Sequence, residues 1–133
     1  MYLNPINELV MFGVFDRGES NKERIVFRVQ SSLNLAAYGV VLTIHQGDNW
    51  TPLPDQFFWF GETLLDAGTW LYLYTGRGLP RMTTSLGTNE PAYVIHWNRE
   101  TVIFKQDNLY PTLIRMDAAC NAKSVFPPLL QSK

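Results

Sequence analysis

Along most of this chain apolar and polar residues alternate with a period of two, the spacing of a β-strand with one buried face. The alternation is cleanest in Glu23–Gln30, where Ile25, Phe27 and Val29 share one side and Arg24, Arg28 and Gln30 the other. Leu9–Phe15 reads as a strand before it, and the polar cluster Asp16–Asn21 forms the turn between them. In Gly39–Gln46, Val40, Leu42 and Ile44 oppose Val41, Thr43 and His45, which predicts a strand with a more polar outer side. The heaviest apolar investment lies in Phe57–Gly78. Gln56–Phe60 opens it as a short aromatic strand. In Thr69–Thr75, Trp70, Tyr72 and Tyr74 fall on one side and Leu71 and Leu73 on the other. Neither side of that segment is polar, so it belongs inside a sheet. Ala92–Trp97, Thr101–Phe104 and Pro111–Asp117 supply the remaining strands, the last with Ile114 and Met116 inward and Arg115 outward.

The connections carry turn chemistry. Asp66–Gly68 and Gly76–Gly78 bracket the apolar strand. Ser31–Tyr38 is too short for a stable helix and predicts a loop or one helical turn. Residues 47–55, with two prolines, read as a surface loop anchored by Trp50, and Leu79–Pro91 as a long mobile loop. Seven to eight short strands with little or no helix predict an all-β protein, an antiparallel immunoglobulin-like β-sandwich. The length of 133 residues suits one such domain, over residues 1–117, followed by a tail over 118–133 that is either a strap or disordered. With 46% hydrophobic and 17% charged residues the chain is globular, and a net charge of −1 gives no overall pull toward nucleic acid or anionic lipid. One cysteine, Cys120, excludes an internal disulfide. No window has the length of apolar sequence that a membrane span needs, and no secretory leader is indicated. The expectation is an intracellular, non-membrane protein.

The segment Asn34–Leu42, the aromatic strand Phe57–Phe60 and the run Thr63–Gly76 together resemble the lamin tail domain, an immunoglobulin-like sandwich. Leu35, Tyr38 and Leu42 stand at positions of its first motif, with Asn34 where the family has an acid and Tyr38 where it has a tryptophan. Leu65, Gly68 and Tyr74 match its second motif, with Gly61 in the place of a proline. Phe104–Asp107 with Leu113 and Ile114 follows the third motif without its glycine. The resemblance covers roughly residues 23 to 117 and implies a non-catalytic interaction module that binds proteins, or DNA and chromatin.

Read directly, the residues also point away from catalysis. The chain has no phosphate-binding glycine loop, no nucleophile elbow and no metal-binding His or Cys pair at ligand spacing. An alternative small metal-dependent or acid-base enzyme would have to use His45 and His96, which requires the two rings to meet at one point. Cys120 has no neighbouring base in sequence and reads as an inert thiol. Neither a catalytic residue nor a cofactor is expected. Arg24 and Arg28 read as a solvated sheet face. The candidate partner surface is Trp50, Arg77, Arg81, Trp97 and Arg99, for a protein bound through loops or an edge strand. Arg77, Arg81 and Arg99 carry the alternative of DNA binding. A homodimer is compatible with so aromatic and charge-poor a chain.

Overall fold

A computed structural model describes residues 4–85, 87–120 and 122. The domain is an all-β sandwich of ten strands among these residues. They are β1 (Leu9–Phe15), β2 (Arg24–Val29), β3 (Leu33–Asn34), β4 (Tyr38–Gln46), β5 (Asn49–Trp59), β6 (Leu64–Leu65), β7 (Trp70–Tyr74), β8 (Arg81–Thr84), β9 (Pro91–His96) and β10 (Leu109–Arg115). A 3₁₀ turn, Leu35–Ala37, is capped by the Asn34 side chain, which accepts from the Ala36 N–H at 2.9 Å. The predicted tail beyond residue 122 lies outside the described residues.

One sheet has five strands in the order β1-β2-β7-β9-β8, the other three in the order β10-β4-β5, and β3 pairs with β6 as a short ribbon. The alternation read in β2, β4 and β7 sets how the sheets face. Ile25, Phe27, Val29, Leu71 and Leu73 from the large sheet meet Val40 and Leu42 from the small one, all of them buried. Phe27 and Phe60 meet edge to face at 5.5 Å in this core. β7 lies between β2 and β9, inside the sheet as its two apolar faces require. It is entered through Gly68 at φ +90°, a conformation cheap only for glycine.

Five expectations change. The sheets are antiparallel except that β7 and β9 run parallel, because the chain leaves β7, forms β8 at the outside and returns through β9 between them. Residues 79–91 are therefore not a long loop but hold β8 and a hairpin turn. Residues 47–55 likewise fall mostly in β5, whose prolines sit on a sheet edge where no ladder N–H is required. Pro111–Asp117 departs in part from the prediction. Leu113 pairs with Val40 and Pro111 with Leu42, so these two point inward and Ile114 outward, whereas Arg115 is exposed as expected.

Thr101–Phe104 is not a strand at all, for a reason centred on Glu23. This residue is 1% exposed. Its carboxylate accepts four hydrogen bonds, from Gly18 N–H (2.7 Å), Thr75 Oγ1 (2.8 Å), Ile103 N–H (2.8 Å) and Phe104 N–H (3.0 Å). The backbone donors of Ile103 and Phe104 are thus committed to a side chain rather than to a neighbouring strand. Ionised carboxylates accept such bonds more strongly than neutral groups do. Glu23→Ala leaves several buried donors without acceptors and is expected to cost about 3 kcal/mol or more. Glu23→Gln keeps the volume but turns an NH₂ toward N–H donors and should cost less than Ala, though still measurably; urea unfolding of the three chains checks the order.

Candidate interaction surfaces

The sandwich has two broad outer faces, and they are chemically unlike. On the five-stranded sheet the even-numbered positions of β2 and β7 point outward. Arg28 lies over the Trp70 ring at 4.5 Å and pairs with Glu90 at 2.6 Å, while Trp70 Nε1 also donates to Glu90. Phe12 meets Trp70 edge on at 5.3 Å. Arg24 sits between Phe15 and Tyr74 and pairs with Asp16 at 2.6 Å. The guanidinium partners hold the Asp16 and Glu90 carboxyls below the usual carboxylate range. Arg24 and Arg28, read from sequence as a solvated face, instead form a ladder of cations and rings that is largely satisfied internally. Among the described residues Nη1 of Arg28 is the one buried side-chain polar atom without a hydrogen-bond partner.

The three-stranded sheet presents three successive rows outward, set by strand register. Trp59, Gly39 and Ile114 form one, Phe57, Val41 and Thr112 the next, and Pro52, Thr43 and Tyr110 the third. His45 and Trp50 close the end, stacked at 5.8 Å, with Tyr110 4.5 Å from the imidazole. None of the residues in the three rows is charged. Trp50, Phe57, Trp59 and Tyr110 are 41, 40, 52 and 42% exposed, a concentration of aromatic surface that monomers seldom leave in water without use. Thr43 Oγ1 meets Thr112 Oγ1 at 2.6 Å and donates to the Tyr110 carbonyl, so the hydroxyls satisfy one another. Two hollows open on this side. One of about 640 Å³ reaches from Val41, Trp50 and Pro52 across β10 to Leu9 and Met11. The other, of about 370 Å³, lies between Phe57, Trp59 and the segment Met116–Ala119.

Gly39 makes the face flat. A Cβ there would fall 2.5 Å from the Phe57 ring and 2.8 Å from the Phe58 carbonyl, so only glycine lets the ring lie across β4. Trp59 is held in turn by Nε1–H donating to the Ala36 carbonyl at 2.7 Å. At the rim, Glu8 joins the two sheets by accepting from the Tyr38 hydroxyl and from Arg115 at 2.8 Å. These two bonds hold the Glu8 carboxyl down at about 2, and burial together with Glu8 pushes the Tyr38 hydroxyl up to about 12.

The sequence-derived candidates divide between regions. Arg77, Arg81, Trp97 and Arg99 gather where β7 and β9 end, tied by Asn98 N–H to the Gly76 carbonyl and Arg99 N–H to the Thr75 carbonyl. Arg77 pairs with Glu100 at 2.9 Å, and Arg99 lies over Trp97 and donates to Gln56. Trp97 is half-buried against Phe58. Trp50 belongs instead to the aromatic face. The two histidines lie in different sheets and share no neighbour: His45 meets Trp50 and Tyr110, whereas His96 stacks on Tyr74 at 5.4 Å and lies 3.2 Å from Arg81. Burial pushes His96 below its ordinary value, with Arg81 adding to it against the opposing hydrogen bond to the Gly76 carbonyl. Among the described residues no three His, Cys, Asp or Glu side chains gather in metal-holding geometry. Sequence reasoning passed over Phe57, Trp59 and Tyr110; the signal was the run Phe57–Phe60, aromatic at both parities, which places rings on both sides of one strand.

The chain matches no family model, no curated protein and no solved structure.

Two outcomes test this geometry. Gly39→Ala displaces the Phe57 ring, destabilising the domain by roughly 1–3 kcal/mol in urea unfolding. For Glu8, a carboxyl held low in the folded chain contributes stability that is present above the unfolded value of 4.5 and is lost as pH falls toward about 2. Glu8→Gln should therefore flatten the decline of stability across that window, and a denaturation series from pH 6 to pH 2 reads it.

Proposed function

We propose that this chain is a non-catalytic interaction module, an immunoglobulin-like sandwich resembling a lamin tail domain, that binds a protein partner inside the cell. The observation that supports this reading is the uncharged aromatic face of the three-stranded sheet. It combines exposed Trp, Tyr and Phe with adjoining hollows, the composition of an interface centre rather than of a solvated surface. Its one imidazole, His45, has only the Trp50 and Tyr110 rings as aromatic neighbours, and the Thr43 and Thr112 hydroxyls bond to each other. Of the segments that carry the family resemblance, Phe57 and Trp59 reach this face, while Leu35, Tyr38 and Phe60 are buried in the core behind it. No helix among the described residues is long and apolar enough to cross a membrane.

DNA binding through Arg77, Arg81 and Arg99 is the second reading, supported by the clustering of these side chains at one end. Each already has a neighbour inside the domain, in Glu100, His96 and Gln56 respectively, and that lowers what a phosphate would gain there.

The protein used as bait on extract of its native source separates the two. Capture of a specific protein is expected with the wild-type chain and with Arg77→Ala/Arg81→Ala, and loss of capture with Trp50→Ser/Trp59→Ser. Retention on DNA that weakens steeply with salt, combined with protein capture indifferent to the tryptophans, would replace this reading with the second.

A further inference from the structure

The two outer faces differ in what they leave unsatisfied, and the difference identifies an occupant. On the five-stranded sheet Arg24 and Arg28 each have both a carboxylate and a ring from this same chain. Among the described residues, the three-stranded sheet offers aromatic surface with no internal cover and no charge in any of its rows. We propose that this face is a homodimer interface, on which a second copy of the chain packs about a two-fold axis; the proposal rests on the interaction-module reading and names its partner.

Symmetry supplies the first argument. In an isologous contact the same patch serves both subunits, so a charge near the axis meets its own sign, at a cost of several kcal/mol. Trp59, Phe57, Thr112, Tyr110, Pro52 and Trp50 can meet their own copies without that cost, whereas a charged partner would find no opposite charge within these rows.

The rim supplies the second. Arg17 stands at the start of β10, its guanidinium 5.4 Å from the Tyr110 ring centre and bonded to the carbonyls of Phe104 and Leu109. Asp117 stands just past the other end of β10 and lines both hollows. Among the described residues neither makes an ion pair, Asp117 acting on Arg115 only at longer range. A two-fold axis perpendicular to the strands reverses β10 end for end. That places Arg17 of one copy at the Asp117 end of the other, twice over. The arrangement is an apolar centre with complementary charges at its perimeter.

The area is of the right order. Rings of 150–250 Å² exposed by about two-fifths to one-half amount to roughly 350 Å² from the four aromatics alone. Ile114, Met116, Ala118 and Ala119 adjoin them on the same side, extending the patch toward the roughly 800 Å² per subunit of a standard interface.

Sedimentation equilibrium of the full chain at micromolar concentration is the test. The wild type is expected at twice its monomer mass. Trp59→Lys puts a cation into the apolar centre and should weaken association about tenfold or more, while circular dichroism and urea unfolding verify that it folds. Asp117→Arg should weaken it by a smaller factor, and the exchange Arg17→Asp/Asp117→Arg should restore it, a recovery that misfolding cannot imitate. A monomeric wild type overturns the proposal; if that monomer still captures a protein through Trp50 and Trp59, the interaction module stands with a different partner. Dimerisation unchanged by Trp59→Lys overturns the assignment of the face.

Discussion

A single carboxylate, that of Glu23, sets how the sandwich is closed at one end. Among the described residues it has no cationic partner; its two oxygens accept from N–H and O–H donors that converge from three places in the chain, the turn after β1, the end of β7 and the irregular segment at Ile103. Removing such a group from water is expensive unless donors replace the lost hydration, and here four of them do. The bonds also fix Phe104, fully buried beside the core, at the point where the chain crosses from the large sheet to the small one. The positions of β9 and β10 relative to each other depend on that crossing.

The strands whose faces differ in polarity were legible from alternation alone. β2 and β4 lie where period two puts them, and β7 is interior because neither of its faces suits water. The departures arise where a segment's hydrogen bonds are decided by something distant. Ile103 and Phe104 have the side chains of a strand, but their donors go to a carboxylate some eighty positions earlier. β8 is four exposed residues without periodicity and becomes a strand only because β9 lies beside it. The inward position of Glu23 was accessible from the same alternation that buries Ile25, since the two share parity, though its four donors were not. The aromatic face was harder to read. Trp50, Phe57 and Tyr110 come from both sides of a β-bulge and from separate strands, and register alone assembles them.

The two faces also show two ways of handling aromatic residues on an open sheet. On the large sheet, Trp70 and Tyr74 are half-covered by arginine side chains whose charges are neutralised nearby, so the rings lose water without needing another molecule. On the small sheet Phe57 and Trp59 have been laid flat, one across Gly39 and the other pinned to the Ala36 carbonyl, which holds them in one conformation before anything arrives. Ordering side chains in advance lowers the entropy lost on association.

The insertion of β9 between β7 and β8 carries a consequence for how the protein is made. During synthesis β7 gains β2 as a neighbour immediately, but its other edge stays open until the roughly twenty residues from Thr75 to His96 have followed, about one to four seconds at ordinary elongation rates. Through that interval the most aromatic strand of the chain exposes unpaired backbone on the ribosome. The edge closes when β9 pairs with β7 along its whole length, leaving the four-residue β8 in its place as the outermost strand.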